Sequence, residues 1–392
     1  MTALTEQTEV FTAPRRVGAT PASDDVVDIL LGLSPGSELD SLRRKRPEVR
    51  DATQSSFDAL FEPPSFGDLK RAERELAALR VAVLQHDASL TAFYRARALD
   101  AAASPKALAA AEQIPLEGSG LALADEVLRF TDRLTLWPDT AKPRHLEELQ
   151  GCGLTPRAIV TLAQLVAFVN YQVRLLAGLR GLQAGTACAD GQRASAPRAP
   201  ERGHGFTLDE LAWRSWLPTV DLAHASSEQL AVLDASNASA RRSPYYLTLV
   251  HEPAVLRERS RLFNAIMYGP GGLPRAEREL ATVAVSRING CPYCASVHAR
   301  LFAQLTKEPQ VVQRLLDDGI AAPLEPRRRA LVDLAADLTQ NPPVTNPGAL
   351  RALRLAGVTD AQTLDSIHVI AIFAWANRLM QTLGEPVIER QP

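Results

Sequence analysis

Residues 274–302 read PRAERELATVAVSRINGCPYCASVHARLF, and both the fold and the chemistry turn on them. Asn289-Gly290 is a stop signal for a helix that begins near Pro274. Pro292 is the favoured residue at the first position of a new helix, which puts Cys291 at its N-cap. Cys294 then falls in the first turn, where unpaired backbone N–H groups and the helix dipole favour a thiolate. His298 lies at i+4 from Cys294, so the two share a face.

Cys291-Pro292-Tyr293-Cys294 is the chain's CxxC, and Glu279 stands twelve residues before its first cysteine. Two cysteines can close a disulfide, and a base and an acid can move the protons that closure requires. A structural zinc site would need four ligands, and the sequence offers no second CxxC and no HxxxH. A pair of inert buried cysteines would gain nothing from a place at a helix start. No metal and no cofactor are therefore expected.

With Glu279, Cys291, Cys294 and His298 at matching positions, the segment resembles the core motif of the AhpD-like alkylhydroperoxidases, within the carboxymuconolactone decarboxylase superfamily. The form NGCPYCxxxH resembles its peroxidase-related branch. Many AhpD proteins carry a histidine between the cysteines, where this chain has Tyr293. The resemblance covers about residues 245–385 well, with a weaker copy upstream.

Composition agrees with a helical, globular chain. Of 392 residues, 46% are hydrophobic and 22% charged, and the net charge of −2 gives no electrostatic case for nucleic acid or a membrane surface. No apolar run is read as reaching spanning length, and the first residues lack a signal-peptide core. One redox pair among four cysteines fits a cytoplasmic protein.

Residues 1–22 read as a polar tail. Helical segments are expected at 24–33, 37–62, 67–100, 118–136, 143–151 and 155–182. Residues 183–206, with Cys188 and His204, read as a linker. Trp213 and Trp216 mark an anchoring segment, and helices follow within 227–268, 308–318, 325–339, 347–356 and 360–384. Arg71–Ala77, RAERELA, recurs identically 204 residues later at Arg275–Ala281. The same offset pairs Leu134-Thr135 with Leu338-Thr339 and Arg174-Leu175 with Arg378-Leu379. The expected architecture is all-α: two tandem AhpD-like helical domains, 23–182 and 207–392. The first is degenerate: it keeps Glu75 but has Asp87, Leu90 and Tyr94 where the second has Cys291, Cys294 and His298.

Glu75 and its Arg71 and Arg74 neighbours read as a helix surface or domain contact. His368 and its mate Gln164 read as a hydrogen-bonding position inside the bundle, and Asn377-Arg378 as a packing or oligomer contact. Cys152 lacks a partner.

The resemblance implies a thiol-dependent peroxidase. Cys294 would be the attacking thiol and Cys291 the resolving one, with His298 and Glu279 as proton relay. A hydroperoxide would be the substrate, a thiol or lipoyl-type protein the reductant, and a homo-oligomer the assembly. Two other readings stay open: a dithiol–disulfide oxidoreductase or redox sensor acting on a protein partner, and a non-catalytic scaffold.

Overall fold

The computed structural model describes residues 25–185, 205–344 and 346–388. The tail at 1–22 and most of the 183–206 linker, with Cys188 and His204, lie outside the described residues.

The first half contains α1 (Val26–Leu31), α2 (Glu38–Arg43), α3 (Pro47–Phe61), α4 (Arg71–Leu84), α5 (Ala88–Asp100), α6 (Pro105–Glu112), α7 (Ala122–Leu136), α8 (Arg144–Gly151) and α9 (Pro156–Gly185). The second opens with strand β1 (Ala212–Ser215), then α10 (Ser227–Ser236), α11 (Pro244–Leu249) and α12 (Pro253–Tyr268). It continues through α13 (Arg275–Asn289), α14 (Pro292–Thr306), α15 (Pro309–Asp317), α16 (Pro326–Thr339), α17 (Pro347–Leu355) and α18 (Asp360–Thr382), and closes with β2 (Gly384–Val387). Among the described residues the protein is all-α apart from the short antiparallel β1–β2 ladder. From α4 to α9 each helix has a counterpart at the sequence offset, α13 to α18. Pro105 and Pro309 open α6 and α15 at the same helical position.

Two expected helices are broken. Residues 37–62 divide into α2 and α3 ahead of Pro47, which cannot supply an N–H to an ongoing helix. Residues 67–100 divide at Gln85–Asp87, where His86 adopts φ 53° and Asp87 caps α5 by accepting from the Leu90 amide at 3.0 Å. The α4–α5 turn thus keeps the form of the α13–α14 turn without its cysteines.

The halves share one hydrophobic core. α9 packs along α18, and α3 packs along α12. Gly178 permits the first contact: a Cβ there would sit 2.5 Å from Ile367 Cγ2. Trp375 of α18 donates to Gln164 Oε1 of α9 at 2.8 Å. Two ion pairs cross between the halves near the starts of α3 and α12. Arg46 binds Asp365 at 2.7 and 2.6 Å, and Arg157 binds Glu252 at 2.9 and 3.2 Å.

The expectation about spanning length is corrected by α9. Its residues Pro156–Ala184 are long and apolar enough to cross a membrane by length and composition, yet that apolar stretch is entirely buried inside the fold. A helix packed on all sides by other helices needs the same composition as one packed by lipid.

Candidate active site

The α13–α14 corner forms as the sequence expects. Gly290 takes φ 72°, the left-handed conformation that ends α13 with least steric cost. Cys291 is the extended N-cap of α14 and Pro292 its first residue. α13 and α14 then run back against each other, which brings Glu279 and His298 together.

Glu279 is fully buried. Its Oε2 lies 2.5 Å from His298 Nδ1, and its Oε1 accepts from the Arg275 guanidinium one turn earlier. Burial alone would push the Glu279 carboxyl up, but His298 and Arg275 outweigh it and hold the group below the ordinary glutamate range. Glu279 engages Nδ1 and not Nε2, and Cys294 sits one turn before His298 on α14. Phe373 packs edge-on against the imidazole at 4.7 Å between centroids and fixes its plane.

Both cysteines are reduced and buried, Cys291 at 1% exposure and Cys294 at 4%. Burial pushes the Cys291 thiol well above the ordinary cysteine range, and the adjoining Cys294 sulfur adds to the effect. Cys291 is therefore held as the thiol.

Several side chains at the site were not read as such from sequence. Asn377 lies against Cys291, where it works against the effect of burial on the thiol, and is itself fixed by Asn289 at 3.0 Å and Ser286 at 3.1 Å. It belongs to the thiol site, not only to packing. Gln381 holds the carbonyls of Asn289 and Gly290 at 2.9 and 2.8 Å, clamping the turn that presents the cysteines. Arg275 could have been found from its i, i+4 spacing to Glu279. Trp213 anchors as expected, donating to the Met380 carbonyl at 2.9 Å and stacking edge-on against Tyr245.

Other candidates stand apart. His368 is buried, its Nδ1 makes no hydrogen bond among the described residues, and burial, then Arg43 and Arg46, lower its pKa to about 3. It is a neutral core residue, whereas its mate Gln164 has found Trp375. Arg378 reaches across to the Thr135 carbonyl at 2.9 Å, joining the halves. Cys152 lies apart from the pair, its sulfur 3.9 Å from the Ala122 carbonyl. Among the described residues no group of histidine, cysteine and carboxylate side chains could hold a metal ion.

The equivalent place in the first half is differently built. Glu75 is not a surface residue: it is fully buried and held by Arg97 at 2.7 to 3.0 Å, with Arg97 also reaching Glu62. Here burial wins and raises the Glu75 carboxyl. Tyr94 donates to Gln172 at 2.6 Å, and Asp87 is tied to Arg180 at 2.6 Å. Arg97, from the next helix, supplies the compensating charge.

The family model for the carboxymuconolactone decarboxylase family matches residues 253–319, which run from α12 through α15. Among solved structures, the chain is 30% identical to an alkylhydroperoxidase AhpD core, an uncharacterized peroxidase-related protein from Ralstonia eutropha JMP134. That alignment covers 42% of this chain and 87% of the other, with a TM-score of 0.38. An uncharacterized peroxidase-related protein from Silicibacter sp. TM1040 is 25% identical over 43% of this chain and 92% of its own, with a TM-score of 0.34. No curated protein matches. From α12 through α15 the chain thus carries a segment of the carboxymuconolactone decarboxylase family.

Proposed function

We propose that the protein is a thiol-dependent peroxidase that reduces hydroperoxides through Cys294 and Cys291. The observation that carries this reading is the line Glu279–His298–Cys294, in which a buried carboxylate holds one nitrogen of an imidazole lying one helical turn from a thiol. His298 takes the Cys294 proton, and the thiolate attacks the terminal oxygen of the peroxide. The O–O bond breaks, Cys294 becomes a sulfenic acid, and the departing alkoxide takes its proton from His298. Cys291 then attacks the Cys294 sulfur, closing a disulfide with loss of water. Burial keeps Cys291 a thiol while Cys294 reacts; in the second step its proton leaves with the sulfenic hydroxyl as that water. An external dithiol, of thiol or lipoyl type, reopens the disulfide. The burial of both sulfurs favours a small peroxide as oxidant over a folded protein disulfide.

The test is peroxide consumption by the pre-reduced protein, with free thiols counted before and after. Loss of two thiols per peroxide, without added reductant, is the expected result. Peroxide left unconsumed while both thiols remain free would refute the assignment.

A further inference from the structure

We propose that Arg275 is a positioning residue for this relay, fixing the Glu279 carboxylate from the wall of a solvent pocket and so setting the pH at which Cys294 becomes reactive. The proposal rests on the reading of Glu279 and His298 as the proton relay.

Six side chains form a closed ring that includes the relay. Arg275 pairs with Glu279, and Glu279 with His298. His298 packs on Phe373, which lies 5.8 Å from Phe263, and Phe263 lies 6.1 Å from Tyr268. The Tyr268 ring closes the circuit by lying 4.2 Å beneath the Arg275 guanidinium. Three members are aromatic rings and two are the relay itself. Arg275 is the most open of the charged or titrating groups bonded to the carboxylate, at 29% exposure, while Glu279 has none. Tyr268, half exposed, and Arg275 line an open pocket of about 330 Å³ with Gly271, Gly272 and Arg278. Arg278 is spent on the carbonyls of Leu273, Ile266 and Gly269, so Arg275 is the cation in this wall that serves the carboxylate.

The first half acts as an internal control. It carries the same heptapeptide, RAERELA, yet Arg71 turns outward to Asp100 at 2.7 Å and leaves Glu75 to Arg97. The i, i+4 spacing therefore does not dictate the Arg275–Glu279 pairing. The ring of Tyr268 does, by holding the guanidinium over Glu279. Among the described residues no arginine or lysine of another helix pairs with Glu279 as Arg97 does with Glu75; its partner across helices is His298.

Charged groups on the elements around α13 are engaged elsewhere. Arg259 of α12 binds Tyr245, Arg300 of α14 pairs with Glu210, and Arg314 of α15 binds the Gln310 carbonyl. On α16, Arg327 pairs with Glu277 and Asp333 with Arg329, and Asp365 of α18 pairs with Arg46. α16 also carries buried Asp337, and α18 buried His368.

The test is the rate of Cys294 alkylation by iodoacetamide in the reduced full-length protein as a function of pH, read by peptide mass spectrometry. Arg275→Gln frees the Glu279 carboxylate to swing off His298 Nδ1, which makes the imidazole a poorer acceptor for the Cys294 proton, so the midpoint should rise by about one pH unit, the scale of losing a close opposite charge at the imidazole. Arg275→Lys should recover most of that shift. A purely structural role would change the melting temperature and leave the midpoint in place. If Arg275→Gln does not fold, Tyr268→Leu, which removes the face under the guanidinium, should move the midpoint the same way and by less. A midpoint identical to wild type in the folded variant overturns the proposal. A shift in a protein that consumes no peroxide would uphold the role of Arg275 and remove the peroxidase reading instead.

Discussion

Glu279 and His298, nineteen positions apart on adjoining helices, meet through Oε2 and Nδ1 at 2.5 Å with no solvent exposure at the carboxylate. Such a bond fixes the orientation and tautomer of the imidazole. Glu279→Gln should lower peroxide turnover by about 10²-fold, the scale of a positioned acid–base group. It should also change stability with a definite sign. A carboxyl held below its ordinary range stabilises the fold above that range and loses the contribution as pH falls through the depressed value. Denaturant titrations should show wild type gaining over Glu279→Gln at neutral pH and the gap closing in acid.

The first half is expected to supply structure and no chemistry. Tyr94→Phe should leave peroxide turnover unchanged while costing about 1 kcal/mol of stability, because its hydroxyl is buried against Gln172. Glu75→Gln should behave alike with a larger stability loss, since Arg97 loses one of its two carboxylate partners. Steady-state rates alongside melts of both variants check this. A large fall in rate from Tyr94→Phe would make the first half a working site.

Asp365 joins the halves beside the loop that carries Tyr268 and Arg275 to the site. It accepts from Arg46 twice and from the Leu273 amide at 2.8 Å. Asp365→Asn should destabilise the protein by about 1–3 kcal/mol, reduced from the full buried-pair cost because Arg46 is partly exposed. Chemical denaturation should show one transition shifted to lower denaturant. A separate early transition of one half would contradict the shared core.

Much of this was legible in the sequence where local rules decide. Asn289-Gly290-Cys291-Pro292 spells a helix stop and a helix start, and the 204-residue offset carried every helix from α4 to α9 onto its mate. The failures have a common physical source. The break at Gln85–Asp87 was hidden because neither Gly nor Pro marks it; a capping aspartate does the work. Glu75 was read as surface because Arg71 and Arg74 flank it, whereas its partner Arg97 lies on the next helix. Asn377 looked like packing until α18 brought it to the Cys291 sulfur. Each depends on which side chain a neighbouring helix delivers, and spacing within one helix carries no record of that.

The most direct test of the account is to treat Cys291→Ser with one equivalent of peroxide, trap the product with a sulfenic-acid reagent and map it by mass spectrometry. The wild-type chain, run in parallel, should close the Cys291–Cys294 disulfide and leave Cys152 alkylatable. The variant should carry the sulfenic acid on Cys294 and stop after a single turnover. An untrapped, fully alkylatable Cys294 in the variant, or a wild-type chain with both thiols intact after peroxide, would contradict the account.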